Sequence, residues 1–450
     1  MKSNLSLREL IAKYDVPAPR YTSYPTVPHW TESPTQDEWL TSLKSDLKNS
    51  WSLYVHIPFC ETLCTFCGCN NSITKSHQVE NPYVDRVLKE KEIYFAQNPK
   101  FKESPLQLIH LGGGSPSFLQ PDSLKKLLMG LHKDVYLAEN FEGSMEVDPR
   151  RTTKEQLEVL REFGWNRLSL GVQDFNPEVQ RLINRIQPFE VTEQVLNWGR
   201  ELGFDSINID LIYGLPAQNL EIMNRTIDLT LTLKPDRLAL YSFAKVPWIK
   251  PQQRLFKDED IPHGEEKRLL YEVARTRLLD AGYIEMGMDH FALPTDAMSK
   301  AAQENKLHRN FMGYTDQKSD VLLGLGVSAI SETASCFHQN EKILGLYERK
   351  IDQLEIPTLR GHKLTEEDKK LRYQILNLMC EGEVELDEPQ VSDIKVFLSE
   401  MFNDGLVKFK TQTKLQITNE GKPFLRNACM ALDQRLRNQE TTKRVFSQSI

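Results

Sequence analysis

Cys60-Glu-Thr-Leu-Cys64-Thr-Phe-Cys67-Gly-Cys69 follows an apolar run, Leu53-Tyr-Val-His-Ile-Pro-Phe59, that reads as a strand entering a loop. Three thiols spaced C-x3-C-x2-C on one short loop can wrap a single inorganic cluster. Thiolates suit both iron–sulfur clusters and zinc, which are soft enough to prefer sulfur. The spacing bears on the choice. A structural zinc site closes four ligands, often as two separated C-x2-C pairs. No second pair exists, since Cys336, Cys380 and Cys429 are isolated and distant. Three cysteine ligands on a [4Fe–4S] cluster leave one iron without a protein thiolate. An open position is what a metal site keeps when it binds a substrate or cofactor. Zinc, and a closed cluster that also uses Cys69, are the competing readings. Cys67-Gly-Cys69 is very tight for two ligands of one cube.

The rest of the composition fits such a site. A chain of 450 residues allows two or three domains and ample core. Its formal net charge of −7 argues against nucleic-acid or anionic-membrane partners, which need a basic face. A polyacid substrate would need a local basic pocket. Seven cysteines, four of them within ten residues, are no disulfide framework, and a cluster loop belongs in a reducing compartment. The first residues lack the apolar core of a signal peptide, and no apolar run approaches the ~20 residues that span a bilayer. The expected location is the cytoplasm.

Residues 1–50 hold a short helical pattern and then a stretch with Pro17, Pro19, Pro25 and Pro28, which forbids a continuous helix. Its aromatic residues, Tyr21, Tyr24 and Trp30, are costly in a solvated tail. From 53 to about 331, apolar runs alternate with helical patterns. The runs are 53–59, 106–111, 144–147, 167–172, 207–213, 237–243 and 283–288. The helices lie near 82–97, 122–133, 154–163, 190–202, 220–233 and 264–281. This is an α/β chain with a parallel sheet covered by helices. Periodicity does not separate an open sheet from an incomplete barrel; in both, ligands gather at the C-terminal strand ends. Those ends carry Gly112-Gly-Gly-Ser115, Glu146, Gln173 and Asp210, and Asn176-Pro177 reads as a helix cap. Asp210 amid apolar residues needs a partner, for which Arg185 or a ribose diol would serve. Beyond 332, the stretch 338–362 reads as a linker with one helix. Helices at 365–381 and 389–402, short strands at 406–407 and 414–417, and a last helix to about 437 follow. Residues 438–450 are expected to fray.

C-x3-C-x2-C after a strand resembles the signature of the radical S-adenosylmethionine (SAM) enzymes. With Cys69, and with Tyr54-Val-His-Ile-Pro-Phe-Cys60 before it, the chain is similar to the oxygen-independent coproporphyrinogen III oxidases. The segment Pro19-Arg20-Tyr-Thr-Ser-Tyr-Pro-Thr26 carries the same resemblance. The mainly helical C-terminal domain at 332–450 has the pattern of a winged helix, but its balance is not basic enough for DNA, and a lid over the barrel mouth is expected. The resemblance implies a partial (β/α)6 barrel over 51–331 and an N-terminal arm over the active site at 1–50. It implies a [4Fe–4S] cluster on Cys60, Cys64 and Cys67, with Cys69 close by but not a ligand. It implies one SAM at Tyr54, Gly113, Glu146 and Ile330. A second SAM is implied at Phe66, Gly114, Ser115, Gln173, Arg185, Asp210 and Ala244, with Ser115 replacing a common threonine. Arg20, Lys245, His290, His308 and Arg309 become candidates for propionate contacts. The implied reaction is oxidative decarboxylation of two propionates of coproporphyrinogen III to vinyl groups, giving protoporphyrinogen IX in haem biosynthesis. A low-potential donor such as flavodoxin or ferredoxin is expected, and a monomer. Haem chaperone relatives share the barrel and three cysteines. They usually lack the fourth cysteine and the long N-terminal segment, so Cys69 and residues 19–26 favour the enzyme. A radical SAM enzyme acting on another substrate is the second alternative.

Overall fold

The strand that feeds the cysteine loop, β1 (Trp51–Ile57), lies inside a twelve-stranded sheet. The computed structural model describes residues 5–30, 33–438 and 446–449. Five further parallel strands follow: β2 (Pro105–Gly113), β3 (Tyr136–Val147), β4 (Arg167–Gln173), β5 (Ser206–Tyr213) and β6 (Arg237–Ser242). They pair in chain order and are linked by helices Glu80–Gln97, Pro121–His132, Lys154–Glu162, Phe189–Glu201 and Leu220–Leu233, with Gly264–Asp280 after β6. These are the six expected strand–helix units. Leu53, Val55, Ile57, Ile109, Leu111, Leu168, Leu170, Ile207 and Ile209 are buried in one continuous core. Each such side chain contributes about 1.5–3 kcal/mol by leaving water. The Asn176 side chain accepts from the backbone N–H groups of Glu178 and Val179, with Pro177 at the first helical position, as the cap reading requires.

The run 283–288 is not a seventh parallel strand. It forms a hairpin of β7 (Ile284–Met286) and β8 (His290–Ala292), and β8 runs antiparallel to β6. Gly287, at φ +60°, turns the chain, and a Cβ there would meet the Tyr314 ring. On the other side of β1 stand β9 (Val321–Leu325), parallel to it, then β10 (Ile330–Glu332), β11 (Cys336–Asn340) and β12 (Thr358–Lys363). The linker reading of 338–362 is therefore corrected to strand–helix–strand, and the barrel sheet continues past 331. The polar sequence Cys336-Phe-His-Gln-Asn340 hid a fully buried strand. Several of its polar groups find partners inside, while His338 Nδ1 and Asn340 Oδ1 are buried without one. The His338 ring stacks on Trp39 at 4.8 Å and bonds Thr358 Oγ1, and Asn340 donates to Glu90 Oε1 and to the Gly326 carbonyl.

A second core gathers Glu366–Glu381, Glu388–Phe397, three short strands (Glu383–Glu385, Lys414–Ile417 and Val407–Phe409) and Leu425–Met430. Leu10, Ile11, Tyr14, Tyr21 and Tyr24 of the arm belong to this core. The expectation of a frayed end is corrected for 446–449; 439–445 and 450 lie outside the described residues. Ala18 and Ser449 donate backbone N–H groups to Ser447 and Val16 carbonyls at 3.1 and 2.8 Å. The buried Arg426 guanidinium donates to the carbonyls of Ala18, Pro19, Gln448 and Ser449, which ties arm and tail together. Among the described residues, no helix is long and apolar enough to cross a membrane.

Candidate active site

The loop after β1 is closed by its own backbone. Ser72 N–H donates to Pro58 O at 2.8 Å and Thr74 N–H to Cys60 O at 3.0 Å. A loop after β6 grips it from one side. Gln253 Nε2 donates to Phe66 O, Gln252 Nε2 to Cys67 O and Lys250 Nζ to Cys69 O, all at 2.7–3.0 Å. Cys60, Cys64, Cys67 and Cys69 face a cavity of about 300 Å³. Among the described residues no three His, Cys, Asp or Glu side chains converge as the ligands of one metal ion would. The donor set fits a larger sulfur-bridged cluster: soft thiols around a cavity, with N–H donors on them. Cys69 N–H and Asn71 Nδ2 lie 3.4 and 3.5 Å from Cys67 Sγ, and Arg185 Nη1 and Arg150 Nη2 lie 3.8 and 3.9 Å from Cys64 Sγ. The Cys69 side chain draws the Cys67 thiol down against the effect of burial, with help from the Cys69 N–H, Lys250 and Arg185.

On the β2–β3 side the glycine turn comes within reach of the cluster loop. His56 donates from Nε2 to Asn70 O at 2.8 Å and accepts from the Tyr54 hydroxyl at 3.0 Å. A Cβ on Gly113, at φ +119°, would sit 2.7 Å from that imidazole, and one on Gly114 would sit 2.4 Å from Pro58 O. The backbone here has no room for a side chain. Glu146 accepts from Gly113 N–H and His110 Nε2, both at 3.3 Å, and keeps about half its side chain open to the cavity. Tyr54 stacks on His110. Gln173 projects from a left-handed backbone, φ +73°, at the end of β4; strain of this kind collects where a side chain must point at a ligand.

Asp210 is not paired with Arg185. Its carboxylate accepts from Ser169 Oγ at 3.1 Å and Asn208 Nδ2 at 2.8 Å. Burial and the nearby Glu146 charge push it up to about 6 against those two hydrogen bonds. Arg185 instead lies 3.3 Å from Asp148 and donates to Gly171 O at 2.6 Å, with its Nε buried and unpartnered. Burial opposes ionisation of Asp148, but Arg185 and Arg150 outweigh it and hold the carboxyl at about 2. Asp148, Arg150, Ser169 and Asn208 were not candidates. The signal for one of them was present: Asn208 stands two before Asp210 in an apolar strand and so shares its face.

Twelve expected residues line the cavity together: Cys60, Cys64, Phe66, Cys67, Cys69, Gly113, Gly114, Ser115, Glu146, Gln173, Arg185 and Asp210. Tyr54 stands behind Gly112 and His56, and Ile330 packs its backbone on Gly324 at the start of β10. Ala244 lines a neighbouring groove with Trp248 and Phe256. Arg20 lies 3.4 Å from Asp289 and above the Tyr241 ring, whose edge closes the cavity. Burial works against ionisation of Asp289, but His290, Arg309 and Arg20 hold its carboxyl far below the usual range. Lys245 turns away from the cavity, to Phe256 O and Asp258. His290 is bonded to Asp289 at 2.6 Å. Burial drops His308 to about 4, so it is neutral. Arg309 is buried over Tyr314, with Nε and Nη1 lacking any partner.

Residues 54–230 match the model of the radical SAM superfamily. The chain is 39% identical to the oxygen-independent coproporphyrinogen III oxidase of Escherichia coli strain K12 over 98% of both chains. It is 36% identical to that of Synechocystis over 98% of this chain and 97% of the relative. The solved structure of the Escherichia coli coproporphyrinogen III oxidase, described as a radical SAM enzyme, superposes with a TM-score of 0.89 at 38% identity, covering 97% of this chain and 100% of that one. By likeness along nearly its whole length, the chain belongs to the oxygen-independent coproporphyrinogen III oxidases of the radical SAM superfamily.

Proposed function

We propose that this chain catalyses the oxygen-independent oxidative decarboxylation of two propionate side chains of coproporphyrinogen III to vinyl groups, giving protoporphyrinogen IX. The observation that carries the reading is a cavity with three thiols on one wall and Glu146 beside Gly113 N–H on the next. When bound, the [4Fe–4S] cluster and SAM supply a 5′-deoxyadenosyl radical, the chemistry that removes hydrogen from an unactivated carbon.

The chain's own part is holding, orienting and excluding water. Cys60, Cys64 and Cys67 hold the cluster. Glu146 would bind the SAM on the cluster, and the glycine turn at Gly113 would meet its amino group. Gln173, Arg185 and Asp210, with Phe66, Gly114 and Ser115, hold a second SAM, Asp210 accepting from a ribose diol. The Arg309 donors without a partner fit a substrate carboxylate, and so does Arg20 once it leaves Asp289. The arm closes the mouth against water. A low-potential one-electron donor drives SAM cleavage. Loss of CO2 from the substrate radical leaves one electron per vinyl group, which passes to an external one-electron acceptor. The working unit is a monomer. We also divide the chain into arm, barrel and C-terminal unit, with the second boundary moved to about residue 364, after β12.

The test is anaerobic iron and sulfide analysis followed by product analysis with reductant and SAM. Wild-type protein is expected to form deoxyadenosine and protoporphyrinogen IX. Deoxyadenosine without protoporphyrinogen removes the substrate assignment, and tight stoichiometric haem uptake without turnover favours a haem carrier. Cys64→Ser is expected to lose the cluster and all SAM cleavage; full iron content in that variant counts against the ligand set.

A further inference from the structure

The tip of the cysteine loop is the part of the cluster site nearest to solvent. Gly68 and Cys69 are exposed, and nothing lies within 4 Å of a Cβ placed on Gly68. Cys69 N–H donates directly to Cys67 Sγ, so a single hydrogen bond separates the exposed backbone from a cluster ligand. Two elements meet at this tip. From one side Lys250 reaches Cys69 O, and from the other Asn70 Nδ2 donates to Lys342 O, just beyond β11. Arg360, at the start of β12, completes a trio of cations. Its Nε bonds Gln339 and its guanidinium lies over Trp30.

Among the described residues no carboxylate stands within ion-pair distance of Lys250, Lys342 or Arg360, and the charges that bear on Lys342 are the other two cations. In a chain of net charge −7, three cations left together without acids mark an anionic partner. Large apolar side chains are exposed beside them: Trp248, Ile249 (60% exposed), Ile343 (63%) and Leu359. Cys69 borders the cavity of the reacting groups, but none of the three cations and four apolar side chains lines it, so they are set apart from the substrate's carboxylates. Apolar side chains beside unpaired cations suit a small, transient protein interface.

Building on the reading above, we propose that this patch, centred on Gly68–Cys69 and ringed by Lys250, Lys342 and Arg360, docks an acidic low-potential one-electron carrier. One electron leaves the reduced carrier and enters the cluster; no bond is made or broken and no proton moves. The exposed backbone at Cys69 gives the shortest route, and transfer rates fall exponentially with distance.

The test uses reconstituted holoenzyme and an acidic flavodoxin in its oxidised form, with association followed by calorimetry. Lys342→Glu and Ile343→Ser are the probes, both exposed and outside the cavity. Lys342→Glu is expected to weaken binding about tenfold at low ionic strength, with the difference largely gone at about 0.5 M salt. Ile343→Ser is expected to weaken binding at both. Dithionite-driven SAM cleavage and the porphyrinogen KM are expected to stay at wild-type values in both variants. Unchanged flavodoxin binding in both variants overturns the proposal. A raised porphyrinogen KM with dithionite also overturns it, because the patch then reads substrate carboxylates. Wild-type holoenzyme that cleaves no SAM with dithionite would instead indict the functional reading.

Discussion

Asp210 is costly to ionise in the ligand-free protein, because burial raises its carboxyl to about 6. A carboxyl whose pKa is raised on folding contributes stability that is full below about pH 4 and is lost as pH rises through about 6. Asp210→Asn is therefore expected to stabilise the ligand-free protein by about 2 kcal/mol at pH 8 and hardly at all near pH 4, read from Tm against pH. The same change should cut turnover, since Asn replaces a two-oxygen acceptor with one oxygen and a donor. Gly114 and Gly68 form a matched pair. Gly114→Ala drives a Cβ into Pro58 O, a backbone atom that cannot yield, and is expected to cost about 2 kcal/mol or more and cluster retention with it. Gly68→Ala meets nothing and should leave Tm and iron content unchanged. The cysteines stood out in sequence because a thiol triplet at that spacing is improbable as packing, and Asp210 because a carboxylate amid apolar residues needs a partner. Glu146 by itself reads as a solvated strand-end charge and was singled out by the family resemblance. Asp148 and Arg150 were not, because their meaning is mutual: each is an ordinary surface residue until the fold places both beside Cys64 and Arg185.

At the scale of elements, the six strand–helix units were legible because each strand is a continuous apolar run and each helix has its own period. The β10–β12 edge was not, since its buried polar side chains find partners far along the chain, as Asn340 does in Glu90. The arm–tail pairing was equally hidden, as it joins Pro17 to Gln448. Arg426 is the clip that makes this pairing one unit. Arg426→Ala would leave four carbonyls to find water, and a loss of about 3 kcal/mol is expected. Proteolysis within residues 15–30 should quicken at the same time. Limited digestion followed by mass spectrometry checks this, and an arm as resistant as in wild type would mean that the second core holds it unaided.

For the molecule as a whole, the sulfur site is held by the fold rather than holding it. The loop is closed by Ser72 and Thr74 and gripped by Lys250, Gln252 and Gln253 through backbone carbonyls. Stripping iron anaerobically with a chelator is expected to abolish the visible absorbance of the cluster and all SAM cleavage. The far-UV circular dichroism should remain that of the holoprotein, and unfolding should stay cooperative. A collapse of the spectrum on chelation would show that the cluster serves as a structural staple.

The shared core of Leu10–Tyr24 with residues 371–432 also sets an order of events during synthesis. The arm has no seat until the residues beyond β12 that form this core have been made. The β1 loop is therefore made while the arm still lacks the core that seats it.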